Sequence, residues 1–138
     1  MKTALSILLL FTATRLIGQK VDDTKIIITL NDSLGSYGKV KTALVKNNFI
    51  LKEDSSINRI TTYPREFDNM PGYAIGNAEI IGNVVTLSGI YGLKKRNYWG
   101  DEKKPKDYKP IIYFKGSKGW RLLMQIANDI GGQFSYSK

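Results

Sequence analysis

Residues 73–92 read YAIGNAEIIGNVVTLSGIYG, and this stretch decides the fold. Gly82-Asn83 is a two-residue pair with turn chemistry between two strand-forming runs, so the stretch reads as one tight antiparallel hairpin. In the second run Val85, Leu87 and Tyr91 alternate with Val84, Thr86 and Ser88, the period-two pattern of a half-buried strand. The first run sets Ala74, Gly76 and Ala78 at alternate positions. Small residues along one strand face admit close approach, so that face is expected to lie beneath a helix.

The neighbouring segments extend this hairpin into a domain. Upstream, residues 49–52 and 57–63 flank the polar turn 53–56 as a second hairpin, and residues 64–72 form a polar loop punctuated by Pro64 and Pro71. Residues 25–30 (KIIITL) read as a short β-branched strand buried on both faces or nearly so. Ser36 is placed to cap a helix over 37–47, in which Tyr37, Val40 and Leu44 fall at helical spacing while Lys39, Lys41 and Lys46 face water. Asn47-Asn48 ends it, because Asn tolerates the left-handed conformation common at helix ends.

Downstream, residues 110–114 are strand-like, with Pro110 favouring an edge or a strand start. Ser117 caps a helix over 118–130, whose Trp120, Leu123, Met124, Ala127 and Ile130 make an apolar stripe, and Gly131-Gly132 stops it. Residues 133–138 add a short strand or stay loose. The expected class is α+β: an antiparallel sheet of four to six strands with two amphipathic helices packed on one face.

The order over residues 25–130 resembles the β-α-β-β-β-β-α layout of TATA-binding-protein-like modules. Residues 49–63 (a strand, an acidic turn, then INRITTY) and the paired strands about Gly82-Asn83 carry the likeness. Such modules recur in secreted and envelope proteins of bacteria, including lipoprotein subunits of the outer-membrane barrel-assembly machinery and several uncharacterised exported families. The likeness lies in element order and includes no diagnostic motif. The nucleic-acid binding of the eukaryotic namesake is not carried over, since function does not follow fold.

Residues 1–18 have the parts of a secretory signal: Lys2, an apolar run from Ala4 to Phe11, then small and polar residues ending at Gly18-Gln19. Arg15 interrupts the apolar run well short of the roughly 20 residues a spanning helix needs. The same Arg15 is unusual near a cleavage region, and the competing reading is an uncleaved, buried helix. Cleavage is expected after Gly18, leaving residues 19–24 as a flexible leader and residues 25–138 as one domain. The absence of cysteine excludes a lipid-anchored lipobox. The expected localisation is therefore periplasmic or extracellular.

Removal of residues 1–18 leaves 120 residues, enough for one core without disulfides. Losing Lys2 and Arg15 leaves 19 basic residues against 12 acidic, a net charge of +7. Such an excess favours anionic partners and solubility and does not bear on fold.

Histidine and cysteine are both absent, which removes the commonest general base, the commonest zinc ligands and the thiol nucleophile. Asp22-Asp23, Glu53-Asp54 and Asp101-Glu102 are adjacent pairs at turns, and neighbours on a strand point to opposite faces, so they do not converge. Phosphate-loop, dinucleotide, nucleophile-elbow and calcium-loop patterns do not occur. The chain is expected to be no enzyme and to need no metal or cofactor.

The remaining signal is residues 93–109, LKKRNYWGDEKKPKDYK, with seven basic residues against three acidic, a net of +4. Its candidate contacts are Lys94, Lys95, Arg96, Tyr98, Trp99, Lys103, Lys104, Lys106 and Tyr108. Cations beside flat rings suit anionic, stackable ligands and equally the headgroup layer of a membrane. The plain alternative is a solvated loop whose Tyr and Trp fold back onto the sheet. Tyr63, Arg65, Phe67 and Tyr73 could form a second small patch, expected to be structural cover for a core edge.

The expected function is a non-catalytic exported module that binds a protein partner or an anionic lipid or glycan surface of the envelope. The alternative is a cytoplasmic nucleic-acid-binding domain that uses residues 93–109, with residues 1–18 misread. Export argues against nucleic acid.

Overall fold

The computed structural model describes residues 18–53, 56–96, 98–100 and 102–138. The expected signal, residues 1–17 in particular, lies outside the described residues, as does the centre of the turn at 54–55.

The elements run β1 (Lys25–Thr29), α1 (Ser36–Lys46), β2 (Arg59–Thr61), β3 (Arg65–Glu66), β4 (Gly72–Ile81), β5 (Val84–Leu93), β6 (Lys95–Arg96), β7 (Glu102–Lys103), β8 (Lys109–Pro110), α2 (Lys118–Ile130) and β9 (Gln133–Ser137). Seven of the strands form one α+β sheet in the order β2-β4-β5-β1-β9, with β3 on β4 and β8 on β5. All pairings are antiparallel.

β4 and β5 form the centre. They pair along their full length from Gly72↔Leu93 to Ile81↔Val84, and Gly82 takes the turn with φ 59°. β5 holds one edge of β4, so β2 and β3 follow each other along the other, meeting β4 at residues 77–79 and 73–74. β1 and β8 share the far edge of β5 in the same way.

Burial alternates as the period-two pattern requires: Ala74, Ala78 and Ile80 on β4, Val85 and Leu87 on β5, and Ile26 and Ile28 on β1 are buried. In β1 the intervening Ile27 is half-buried and Lys25 and Thr29 are exposed, so this strand has one buried face and not two. The cause is that its second face is the open face of the sheet, shared with Ser88, Thr86 and Val84 across the ladder.

Gly76 and Gly89 are cross-strand partners and therefore share a face. A Cβ at Gly76 would lie 3.5 Å from Leu44 Cδ2 of α1, and one at Gly89 would lie 3.3 Å from Leu123 Cδ2 of α2. At Gly89 that approach is tighter than ordinary contact, so the missing side chain admits α2, whereas at Gly76 an added methyl would only touch α1.

The helix ends differ from one another. Ser117 caps α2 and its hydroxyl accepts the Trp120 N–H at 3.1 Å, and Gly131 (φ 84°) follows the last turn. At α1 the capping position is held by Gly35 with φ 69°, and no side chain caps it. Ser36 lies one residue inside the helix, its hydroxyl donating to the carbonyl of Ser33 at 3.1 Å. Asn48 takes the left-handed conformation, φ 64°, just past α1. The apolar face of α2 is broader than a stripe, because Leu122 and Ile126 are buried with Trp120, Leu123, Ala127 and Ile130.

Two expected strands are short. Residues 49–52 meet β2 and its flanks by single contacts such as the Leu51↔Thr62 bridge. Past β8, Ile111 turns into the core, where it fills the space beside Gly89 and Gly119. The chain then reaches β1, with Tyr113 N–H donating to the Asp23 carbonyl at 2.8 Å.

Candidate basic ribbon

β5 ends at Leu93, and the following residues form a separate two-stranded ribbon of β6 and β7, in register Lys95↔Lys103 and Arg96↔Glu102. Two features fix its base. Pro105 packs where a Cβ on Gly92 would stand, so the glycine is what admits the returning arm. Lys94 extends to Glu66, Nζ to Oε1 3.2 Å, and lies 5.5 Å from the centre of the Tyr73 ring.

Tyr73 donates its hydroxyl to the same Glu66 oxygen at 3.1 Å. The Lys94 hydrogen bond, with that from Tyr73, holds the Glu66 carboxyl below the ordinary carboxylate range. Lys94 is only 15% exposed along its side chain, so it anchors the ribbon and is set apart from the outward cations.

The other candidates divide by position. Lys95, Arg96, Lys103, Lys104 and Lys106 are exposed, and Tyr108 is half-buried. At the turn, Tyr98 is 96% and Trp99 85% exposed, and their rings meet edge to face with centroids 5.9 Å apart. They do not fold back onto the sheet, as the plain-loop alternative required. Asn97, Asp101 and the side chain of Glu102 lie outside what is described.

The register carries an electrostatic consequence. Lys95 and Lys103 stand directly opposite each other, and like charges at that position destabilise an antiparallel pair. An anion between or above them would relieve the repulsion. Below the ribbon, Tyr91, Gly92, Lys95, Pro105, Lys106 and Asp107 line an open groove of about 260 Å³.

The anchoring residues Glu66, Gly92 and Pro105 were not among the expected contacts. Gly92 and Pro105 carry a faint signal, a glycine closing a strand and a proline in an otherwise basic run. Glu66 has none, because its partner is twenty-eight positions away (Lys94).

The second patch is dispersed into structural contacts. The Arg65 guanidinium lies 5.7 Å from the Phe49 ring centre, Lys52 lies 5.8 Å from that of Tyr63, and Phe67 packs against the core. Among the described residues no three acidic side chains gather as a metal site, and no helix is long and apolar enough to cross a membrane.

No family model matches the chain, and no match was found among the curated proteins or the solved structures.

Proposed function

We propose that this chain is a non-catalytic exported module that docks on an anionic envelope surface through the β6–β7 ribbon. One observation carries the reading: Tyr98 and Trp99 stand outward at the tip of a ribbon whose flanks are cationic. In the headgroup layer, aromatic rings of this kind settle at the apolar boundary while Lys and Arg meet phosphates. The TATA-binding-protein-like element order is compatible with this role and does not select the ligand.

The test is sedimentation with phosphatidylglycerol vesicles over a salt series. Each Lys or Arg near an anionic surface is worth about 1 kcal/mol. A variant with Lys95, Arg96, Lys103 and Lys104 changed to Gln should therefore bind on the order of a hundredfold or more weaker. Unchanged binding by the variant would remove the assignment. Binding to single-stranded oligonucleotides in preference to vesicles would replace it with the nucleic-acid reading. Export has its own check: intact mass of the protein recovered from the native host's envelope fraction should match a chain that begins near Gln19.

A further inference from the structure

The loop before β4 and the turn before α2 come together at the end of β5. The Lys94 N–H donates to the Pro71 carbonyl at 3.3 Å, and the Ser117 N–H donates to the Phe114 carbonyl at 3.0 Å. These segments enclose an apolar cavity of about 130 Å³, walled chiefly by Met70, Tyr91, Leu93, Ile111, Ile112 and Phe114. Leu93 and Phe114 are 53% and 49% exposed, so the cavity opens to water past apolar side chains. Two polar neighbours in the wall are engaged elsewhere: the Ser117 hydroxyl accepts the Trp120 N–H, and Lys118 Nζ donates to the Asn69 carbonyl.

This cavity has a cationic neighbour. Tyr91 and Leu93 also line the groove of about 260 Å³ beneath the ribbon, where Lys95, Lys106 and Lys109 outnumber Asp107. An apolar space and a positively charged one therefore share a wall where β5 ends, and that wall is half exposed at Leu93. A molecule lying across it needs hydrocarbon on one side and negative charge on the other.

We propose that the two spaces together bind a single-chain anionic amphiphile, its hydrocarbon tail in the cavity and its head among Lys95, Lys106 and Lys109. Size selects one chain. The cavity is close to the roughly 150 Å³ apolar cavity that takes one benzene ring, and well under the roughly 300–1,000 Å³ of larger ligand sites. It accepts the end of one chain, whereas a two-chain lipid would leave its second chain in water. Charge selects the head, because a groove with three cations and one carboxylate attracts an anion over a neutral group. The site goes beyond the ribbon reading, since a free amphiphile can occupy it without vesicle docking.

The experiment titrates the full chain with dodecanoate below its micelle concentration and follows the methyl signals of Met70, Ile111 and Ile112 by NMR. Saturable shifts at these signals support the site. Across shorter fatty acids the affinity should rise about fourfold per methylene and level off once the cavity is full. Dodecyl maltoside, with the same tail and a neutral head, should bind more weakly. Changing Lys106 and Lys109 to Gln should weaken dodecanoate about fivefold through the head. Leu93→Asn with Phe114→Ser should weaken it about tenfold through the tail, and both side chains are exposed enough to spare the core. Absent or non-saturable shifts, equal binding of the maltoside, or unchanged affinity in either variant overturns the proposal. A dimer that the Leu93→Asn, Phe114→Ser variant dissociates gives the cavity to a second copy and also overturns it. So does vesicle binding lost in that variant with dodecanoate ineffective, which gives the cavity to bilayer lipid. The ribbon variant keeps the cavity, Lys106 and Lys109 and should still bind dodecanoate, so the two readings fail separately. Abolished dodecanoate binding in the ribbon variant overturns the present site.

Discussion

The hydroxyl of Thr62 accepts the backbone N–H of Gly76 at 2.9 Å, and the carbonyl of Gly76 accepts the N–H of Thr62 at 3.1 Å. Thr62 is fully buried, and the pair ties the edge after β2 to the centre of the sheet where no regular ladder continues. Thr62→Val keeps the shape and removes the acceptor, leaving a buried donor unsatisfied. Urea denaturation should place the loss at about 1–3 kcal/mol, with an unchanged slope. Thr62→Ser should lose less, since the acceptor remains.

Gly76 and Gly89 are partners across the hairpin but will respond oppositely to alanine. At Gly76 the nearest atoms to a Cβ lie at 3.5–3.7 Å, ordinary contact, and they belong to side chains. Gly76→Ala should be neutral or stabilising by up to about 1 kcal/mol, because it restricts the unfolded chain. At Gly89 a Cβ would meet Ile111 Cδ1 at 2.9 Å and the Ile75 carbonyl at 3.0 Å. Backbone cannot move aside cheaply, so Gly89→Ala should cost about 1–3 kcal/mol in the same assay.

The two tryptophans occupy opposite environments. Trp120 is buried between the rings of Tyr113 and Tyr136, whereas Trp99 is at the ribbon tip. An aqueous quencher should reach Trp99 and spare Trp120. On addition of phosphatidylglycerol vesicles the emission should shift to the blue, and Trp99→Phe should abolish the shift. A shift that persists in Trp99→Phe would place the contact elsewhere.

Two carboxylates make part of the stability depend on acid. Asp129 receives hydrogen bonds from Lys46 at 2.7 Å and Asn47 at 2.9 Å, which join the ends of the helices, and Lys46 chiefly holds its carboxyl below the ordinary range. Glu66 is lowered likewise, chiefly by Lys94. A carboxyl with a depressed folded-state pKa stabilises at all pH above its unfolded value and loses that contribution as pH falls through the folded value. Wild type should therefore exceed an Asp129→Asn, Glu66→Gln variant in denaturation midpoint at neutral pH, and the two should converge in acid. Both sites are exposed, so the gap should be small and narrow further with salt.

The elements readable in advance are those whose signals are local. Ser117 and the Trp120 stripe mark α2 from start to finish, and Gly82-Asn83 places the central turn between strands of matching pattern. Ser36 misled because Gly35, with its positive φ, enters the helix without any side-chain cap. The ribbon was not legible: a run of lysines has no alternation, and β6 and β7 are held by backbone pairing that leaves no mark on composition. Ile111 ends the expected strand at 110–114 because the core around Gly89 and Gly119 draws it inward, a demand set by residues far away in sequence.

β1 lies between β5 and β9, with Lys25 opposite both Ser88 and Ser137. One neighbour comes from mid-chain and the other from beyond α2. A chain delivered from its amino-terminal side consequently holds β1 half-paired until residues 133–137 arrive. Closure of the sheet is a late event joining distant segments, the kind of contact that folds slowly.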